Sequence, residues 1–151
     1  MGRQRLEVLP LTPIPVFDGH NDTLTKIRHG GPHAQRSFLE RNEVGHLDLP
    51  RAREGGLVGG FFAIFTSSPD WEWVPGPLLD PDGEVVQGGR SVPLPAKLAR
   101  RVATSWTLSV MSDLFRLEAE SEGEIEVVRT SRDLRRCLAD GTFAVILHIE
   151  G

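Results

Sequence analysis

Two apolar runs, the second interrupted by a histidine, constrain this chain more than any other feature. They are Gly59-Gly60-Phe61-Phe62-Ala63-Ile64-Phe65 and Phe143-Ala144-Val145-Ile146-Leu147-His148-Ile149. Each is too short for a typical helix and shows no polar alternation, the pattern of a strand buried on both faces of a parallel sheet. A third segment, Ile14-Pro15-Val16-Phe17, follows Pro13 and contains Pro15, so its strand is expected to start near Val16. Helical stretches separate these runs. The expected order is strand, small helix, strand, long helix, short helix, strand, which places the chain in the α/β class. Three strands cannot close a barrel, and a buried last strand ending at Glu150-Gly151 would leave an open sheet edge. The expectation is therefore a piece of a larger unit.

The helices are marked by their ends. Asp48 stands at an N-cap position, Pro50 in the first turn, and Gly55-Gly56 at the stop, which predicts a small helix. Ala96 to Ser121 reads as the long helix, with Leu98, Val102, Trp106, Val110 and Leu114 spaced by four and Met111 and Leu117 widening the stripe. Ser131 to Leu138 reads as a second helix, with Ser131 at the N-cap, Asp133 at the positive end of the dipole and Gly141 beyond the last turn. Thr23 to Arg28 suggests a short helical turn before Gly30-Gly31-Pro32. Pro69 to Pro95 is rich in Pro, Gly and Asp. It is expected to be an irregular insertion, with a hairpin turn at Asp82-Gly83.

Composition excludes some classes. Seventeen Lys+Arg against 21 Asp+Glu leave a net charge of −4, which argues against a nucleic-acid binder. The single cysteine, Cys137, excludes an internal disulfide framework and is expected in the core. No apolar run approaches the ~20 residues of a membrane-spanning helix. The amino terminus lacks the apolar core of a signal peptide, so a cytoplasmic protein is expected.

Metal-type side chains gather just past two of the strands. In Asp18-Gly19-His20-Asn21-Asp22, residues two apart on an extended chain share a face. His20 and Asp22 would then present an imidazole nitrogen and a carboxylate oxygen together, a pair suited to Zn²⁺. Asp18 has the same parity and could orient a ligand from behind. Glu150 ends the last strand, and in α/β barrels functional residues gather at the carboxyl ends of strands. Each signal also has a plain reading. His-x-Asp recurs at His46-x-Asp48, where Asp48 has a capping role, and Glu150 alone could be a solvated carboxylate. His29 and His33 read as loop residues, His148 as a core histidine with a ligand role as the minor option, and Trp71 and Trp73 as cover for the core. Gly55 to Gly60 precedes a strand instead of joining a strand to a helix, so it is not read as a phosphate loop.

Taken together, the segments resemble a known family. Val16-Phe17-Asp18-Gly19-His20-Asn21-Asp22 resembles the first strand of the membrane (renal) dipeptidases. Asp48 to Phe62 resembles their second strand and its approach, and Ala144 to Gly151 their third strand with its terminal glutamate. The His-x-Asp pair points to this branch, because related amidohydrolases more often carry His-x-His there. The resemblance implies a (β/α)₈ barrel, of which residues 1–151 would be the amino-terminal part, about the first three strand–helix units. It implies two zinc ions, with His20 and Asp22 on one and Glu150 bridging both, and hydrolysis of a dipeptide by a metal-activated water. The histidines of the second zinc site would lie on later strands, and a homodimer is left open. By itself the 151-residue chain is expected to be inactive. Two alternatives stand beside this reading, a non-catalytic α/β fragment or binding module and another metal-dependent amidohydrolase.

Overall fold

The computed structural model describes residues 14–28, 37–66 and 96–150. They form β1 (Val16–Asn21), α1 (Thr23–Arg28), α2 (Leu49–Glu54), β2 (Leu57–Ile64), α3 (Arg100–Glu120), β3 (Ile125–Val127), α4 (Ser131–Asp140) and β4 (Phe143–Ile149). All four strands are parallel and lie in the order β1-β2-β4-β3. The class is the expected α/β, and the three anticipated strands lie side by side. The expected irregular insertion, its hairpin, Trp71, Trp73, His29 and His33 lie outside the described residues.

β3 is an element the sequence reading missed. Three residues, Ile125-Glu126-Val127, are too short to show a period, and their partner is supplied only by the fold, at Phe143 to Val145 of β4. β3 has a topological consequence. The chain leaves β2, passes over the place of β4 to reach β3, then turns back into the gap. Parallel crossovers are right-handed, so a reversal in direction puts the two connecting helices on opposite faces. The packing agrees with this. Alternate residues of β4 belong to two clusters, Phe143 and Val145 with Val110 and Leu114 of α3, and Ala144 with Cys137 of α4.

The first cluster is the main core. Phe62 and Ile64 of β2, Phe143 and Val145 of β4, and Ile125 and Val127 of β3 meet Leu24 of α1, Leu49 and Ala52 of α2, and α3. Phe62 meets Phe38 and Phe143 edge-on and Phe38 meets Phe143 at a tilt, with centroids 5.6–6.1 Å apart, within the range that favours such pairs.

Helix ends follow their caps. Asp48 is fully buried and accepts from the backbone N–H groups of Arg51 and Asn42 and from Arg51 Nε, so its carboxylate fixes both α2 and the preceding loop. Burial pushes that carboxyl up, but the hydrogen bonds from Arg51 and Asn42 outweigh it and hold the group below the usual carboxylate range. In α4 the cap is Thr130, one residue before the expected Ser131, because Thr130 and Asp133 close a reciprocal capping box. α3 starts at Arg100, later than the expected Ala96, and its N-cap residue Ala99 makes no side-chain hydrogen bond to the first turn. Most of its stripe faces the core, with Trp106, Met111 and Leu117 packed against the main cluster, but the spacing by four drifts. Each step of four overshoots a turn by about 40°, so Val110 and Leu114 are buried whereas Val102 is 49% exposed. Cys137 is buried as expected, and burial pushes its thiol up, away from reactivity. Among the described residues no helix is long and apolar enough to cross a membrane.

Candidate metal centre

The glycines before the site have a steric reason. A Cβ at Gly59 would lie 2.2 Å from the Ala144 carbonyl oxygen and 2.7 Å from the Phe17 ring. A Cβ at Gly60 would lie 2.8 Å from the Asp18 Cβ. The pair lets β1, β2 and β4 approach closely, in keeping with the rejection of a phosphate loop.

β1 then departs from simple alternation. Asp18 stands opposite Gly60 and Asn21 opposite Phe62, so three steps on β1 match two on β2. This extra residue is a bulge, and it resets which side chains share a face. The expectation that Asp18 and His20 share a face therefore fails. Asp18 lies against Gly60 on the face of Phe62, whereas His20 turns to the face of Phe61 and His148. Asp18 serves the loop itself. Its carboxylate accepts from the His20 backbone N–H at 3.1 Å and from Asn21 Nδ2 at 3.0 Å, which fixes the backbone that carries the imidazole.

At the carboxyl ends of the strands the separated residues meet. His20 Nε2 lies 3.0 Å from Glu150 Oε1 and 3.4 Å from Asp22 Oδ1. β1 and β4 are not neighbours. β2 runs between them, so the reach spans two strand spacings, about 9.5 Å. Ala63 is the residue of β2 in register with His148, and its small side chain leaves room for the contact above it. The side chains of His20, Asp22 and Glu150 are 46%, 45% and 26% exposed.

The spacing suits one cation. Tetrahedral zinc with bonds of 2.0–2.1 Å sets neighbouring donor atoms about 3.3 Å apart, and the two His20 contacts bracket that value. One imidazole and two carboxylates are a donor set for zinc or a similar borderline ion. A further residue joins the cluster. A ring nitrogen of His148 lies with a ring nitrogen of His20 and a carboxylate oxygen of Glu150 in a group whose ligand atoms are all within 4.8 Å of one another, a group that does not include Asp22. His148 is exposed, which corrects its reading as a core histidine. The missed signal was its parity with Glu150, two residues on along the same strand. His46 is exposed beside the Asp48 cap and is not in this cluster.

Comparison with known proteins agrees with the geometry. The family model of the membrane dipeptidases, peptidase family M19, matches residues 4–151. The chain is 36% identical to a crystal structure of the dipeptidase AC, a metallopeptidase of family M19, with a TM-score of 0.71 over 93% of this chain and 36% of that one. A metallopeptidase from Rhodobacter sphaeroides, liganded with a phosphinate mimic of the dipeptide L-Ala-D-Ala, is 35% identical with a TM-score of 0.72, over 93% of this chain and 39% of the other. An uncharacterised protein in the PQQ-III 3' region of Acinetobacter calcoaceticus is 33% identical over 146 residues, 91% of this chain and 41% of its own length. The chain thus spans well under half the length of these relatives. Fold, strand-end chemistry and likeness converge, and the chain belongs to the membrane dipeptidase family, peptidase family M19.

Proposed function

We propose that this chain supplies the His20, Asp22 and Glu150 portion of the metal centre of a zinc dipeptidase. The observation that carries the reading is the meeting of His20 with Glu150 at 3.0 Å and with Asp22 at 3.4 Å across the end of β2. In this reading residues 1–151 are the amino-terminal part of one barrel domain, and the rest of the barrel comes from strands beyond them. Support comes from the parallel sheet and from relatives that extend well past the matched region.

Each residue has a defined task. His20 offers a neutral nitrogen, and Asp22 and Glu150 offer charged oxygens that offset a dication. Glu150, by the family resemblance, would be the carboxylate that holds both ions of a two-zinc centre, one through each oxygen. When bound, the metal supplies Lewis acidity that polarises an amide carbonyl and makes water a nucleophile near neutral pH. The substrate class is a dipeptide, supported by the dipeptide mimic on the Rhodobacter sphaeroides neighbour. The side chains are too exposed here to enclose such a substrate, so hydrolysis is assigned to the protein that also carries the later strands.

The test combines metal content with hydrolysis. In a longer protein that contains this segment, His20→Ala, Asp22→Ala and Glu150→Ala should each lower zinc content and abolish cleavage of L-Ala-D-Ala. The 151-residue chain alone should not cleave it. Unchanged zinc in all three variants would sink the metal assignment, and hydrolysis by the short chain at an ordinary enzymatic rate would sink the division of labour.

A further inference from the structure

We infer that His148 is a positioning residue for the metal centre, holding the His20 imidazole in its ligating orientation without binding the metal itself; this rests on the reading proposed above. Four rings line the face of the sheet that carries the site. Phe17 meets Phe61 edge-on with centroids 6.0 Å apart at 88°, Phe61 meets His148 at 6.3 Å and 88°, and His148 meets His20 at 5.9 Å and 79°. All three contacts fall in the range where edge-to-face pairs attract. The column starts among side chains packed against α4 and ends at the ligand.

His20 has need of such a hold. Its ring is nearly half exposed, and Asp18 fixes only its backbone. A free imidazole loses rotamer entropy when it binds a cation, and a ring already held edge-on loses less. Coordination number separates this role from ligation. His20 stands at donor spacing from both Asp22 and Glu150. The His148 nitrogen lies within 4.8 Å of its neighbours in the cluster but forms no ion pair with Glu150 among the described residues. Four protein donors would close the coordination sphere, whereas catalytic zinc keeps a position open. With His148 standing back as a wall, that position stays available.

The experiment titrates the 151-residue protein with cobalt(II), followed by visible absorption, and compares His148→Ala with His148→Phe. Circular dichroism checks that each variant is folded. The expected result is a loss of affinity of about tenfold or more for His148→Ala, with His148→Phe close to the parent because the ring edge is retained. A second measurement needs no variant. On adding zinc to protein with ¹⁵N-labelled histidines, a His20 ring nitrogen should take a metal-bound shift and neither His148 nitrogen should. The proposal is overturned if His148→Phe binds as weakly as His148→Ala, if His148→Ala binds as tightly as the parent, or if a His148 nitrogen takes the metal-bound shift. A parent protein that binds no cobalt, or a His20→Ala variant that binds it equally well, removes the metal-centre reading and this inference with it.

Discussion

The two faces of the sheet are built for different purposes. On one, Phe62, Ile64, Phe143 and Val145 are fully buried under α1, α2 and α3. On the other, α4 covers Ala144 through Cys137, while Phe17, Phe61 and Ile146 are only partly buried and His20 and His148 are exposed. The same strands supply both faces, since neighbouring residues point oppositely. Residue-by-residue alternation therefore lets one strand carry core packing on one side and candidate ligands on the other. Along β4 a second division runs lengthwise, from buried Phe143, Ala144 and Val145 at the amino end to exposed His148 and Ile149 at the carboxyl end. Side chains at the site must reach ligands, so they cannot also be sealed in the core.

The sharpest way to break this comparison is a pair of truncations on adjacent residues. Phe62→Ala should cost the 151-residue chain about 3–5 kcal/mol in urea unfolding. Phe61→Ala should cost less than half as much, since its ring is only partly buried. Equal losses would mean that the open face is covered in solution. Next in size, Gly59→Ala should cost about 1–3 kcal/mol or more, because its Cβ would press on the Ala144 backbone at 2.2 Å and drive β2 from β4. A variant as stable as the parent would refute the claim that close strand approach sets the glycine. Smallest of the three, Asp48→Asn should cost about 1–2 kcal/mol, as expected for a cap that also accepts a charged donor. Its pH dependence gives the sign. The folded Asp48 carboxyl sits below its ordinary value near 3.9, so its contribution is full above that value and is lost as pH falls through the lower folded one. The parent and Asp48→Asn curves should therefore converge in acid. If their separation does not narrow on acidification, the stabilisation comes from shape and not charge.

Much of this architecture could be read from local pattern. Doubly apolar runs marked β2 and β4, because burial on both faces leaves no polar alternation. Asp48, Pro50 and Gly55 bracketed α2 because capping is a matter of a few neighbouring residues. The residues His20, Asp22 and Glu150 could be named from strand ends and from likeness to a family. Features that depend on partners far along the chain were not legible. β3 exists only against β4, and Val102 in the first turn of α3 is exposed although it continues the stripe.

Sequence alone determined the class of fold, the positions of the main strands and the kinds of ligand atoms available, since each follows from side-chain chemistry and short-range spacing. Only tertiary structure decided which of those atoms meet. The bulge in β1 turned His20 away from Asp18 and toward the carboxyl end of β4. Packing of β2 between two site-bearing strands set the distance across Ala63, and the open end of the sheet exposed His148 beside His20. A one-residue slip in register reverses a face, and register is a property of paired strands that neither strand holds by itself.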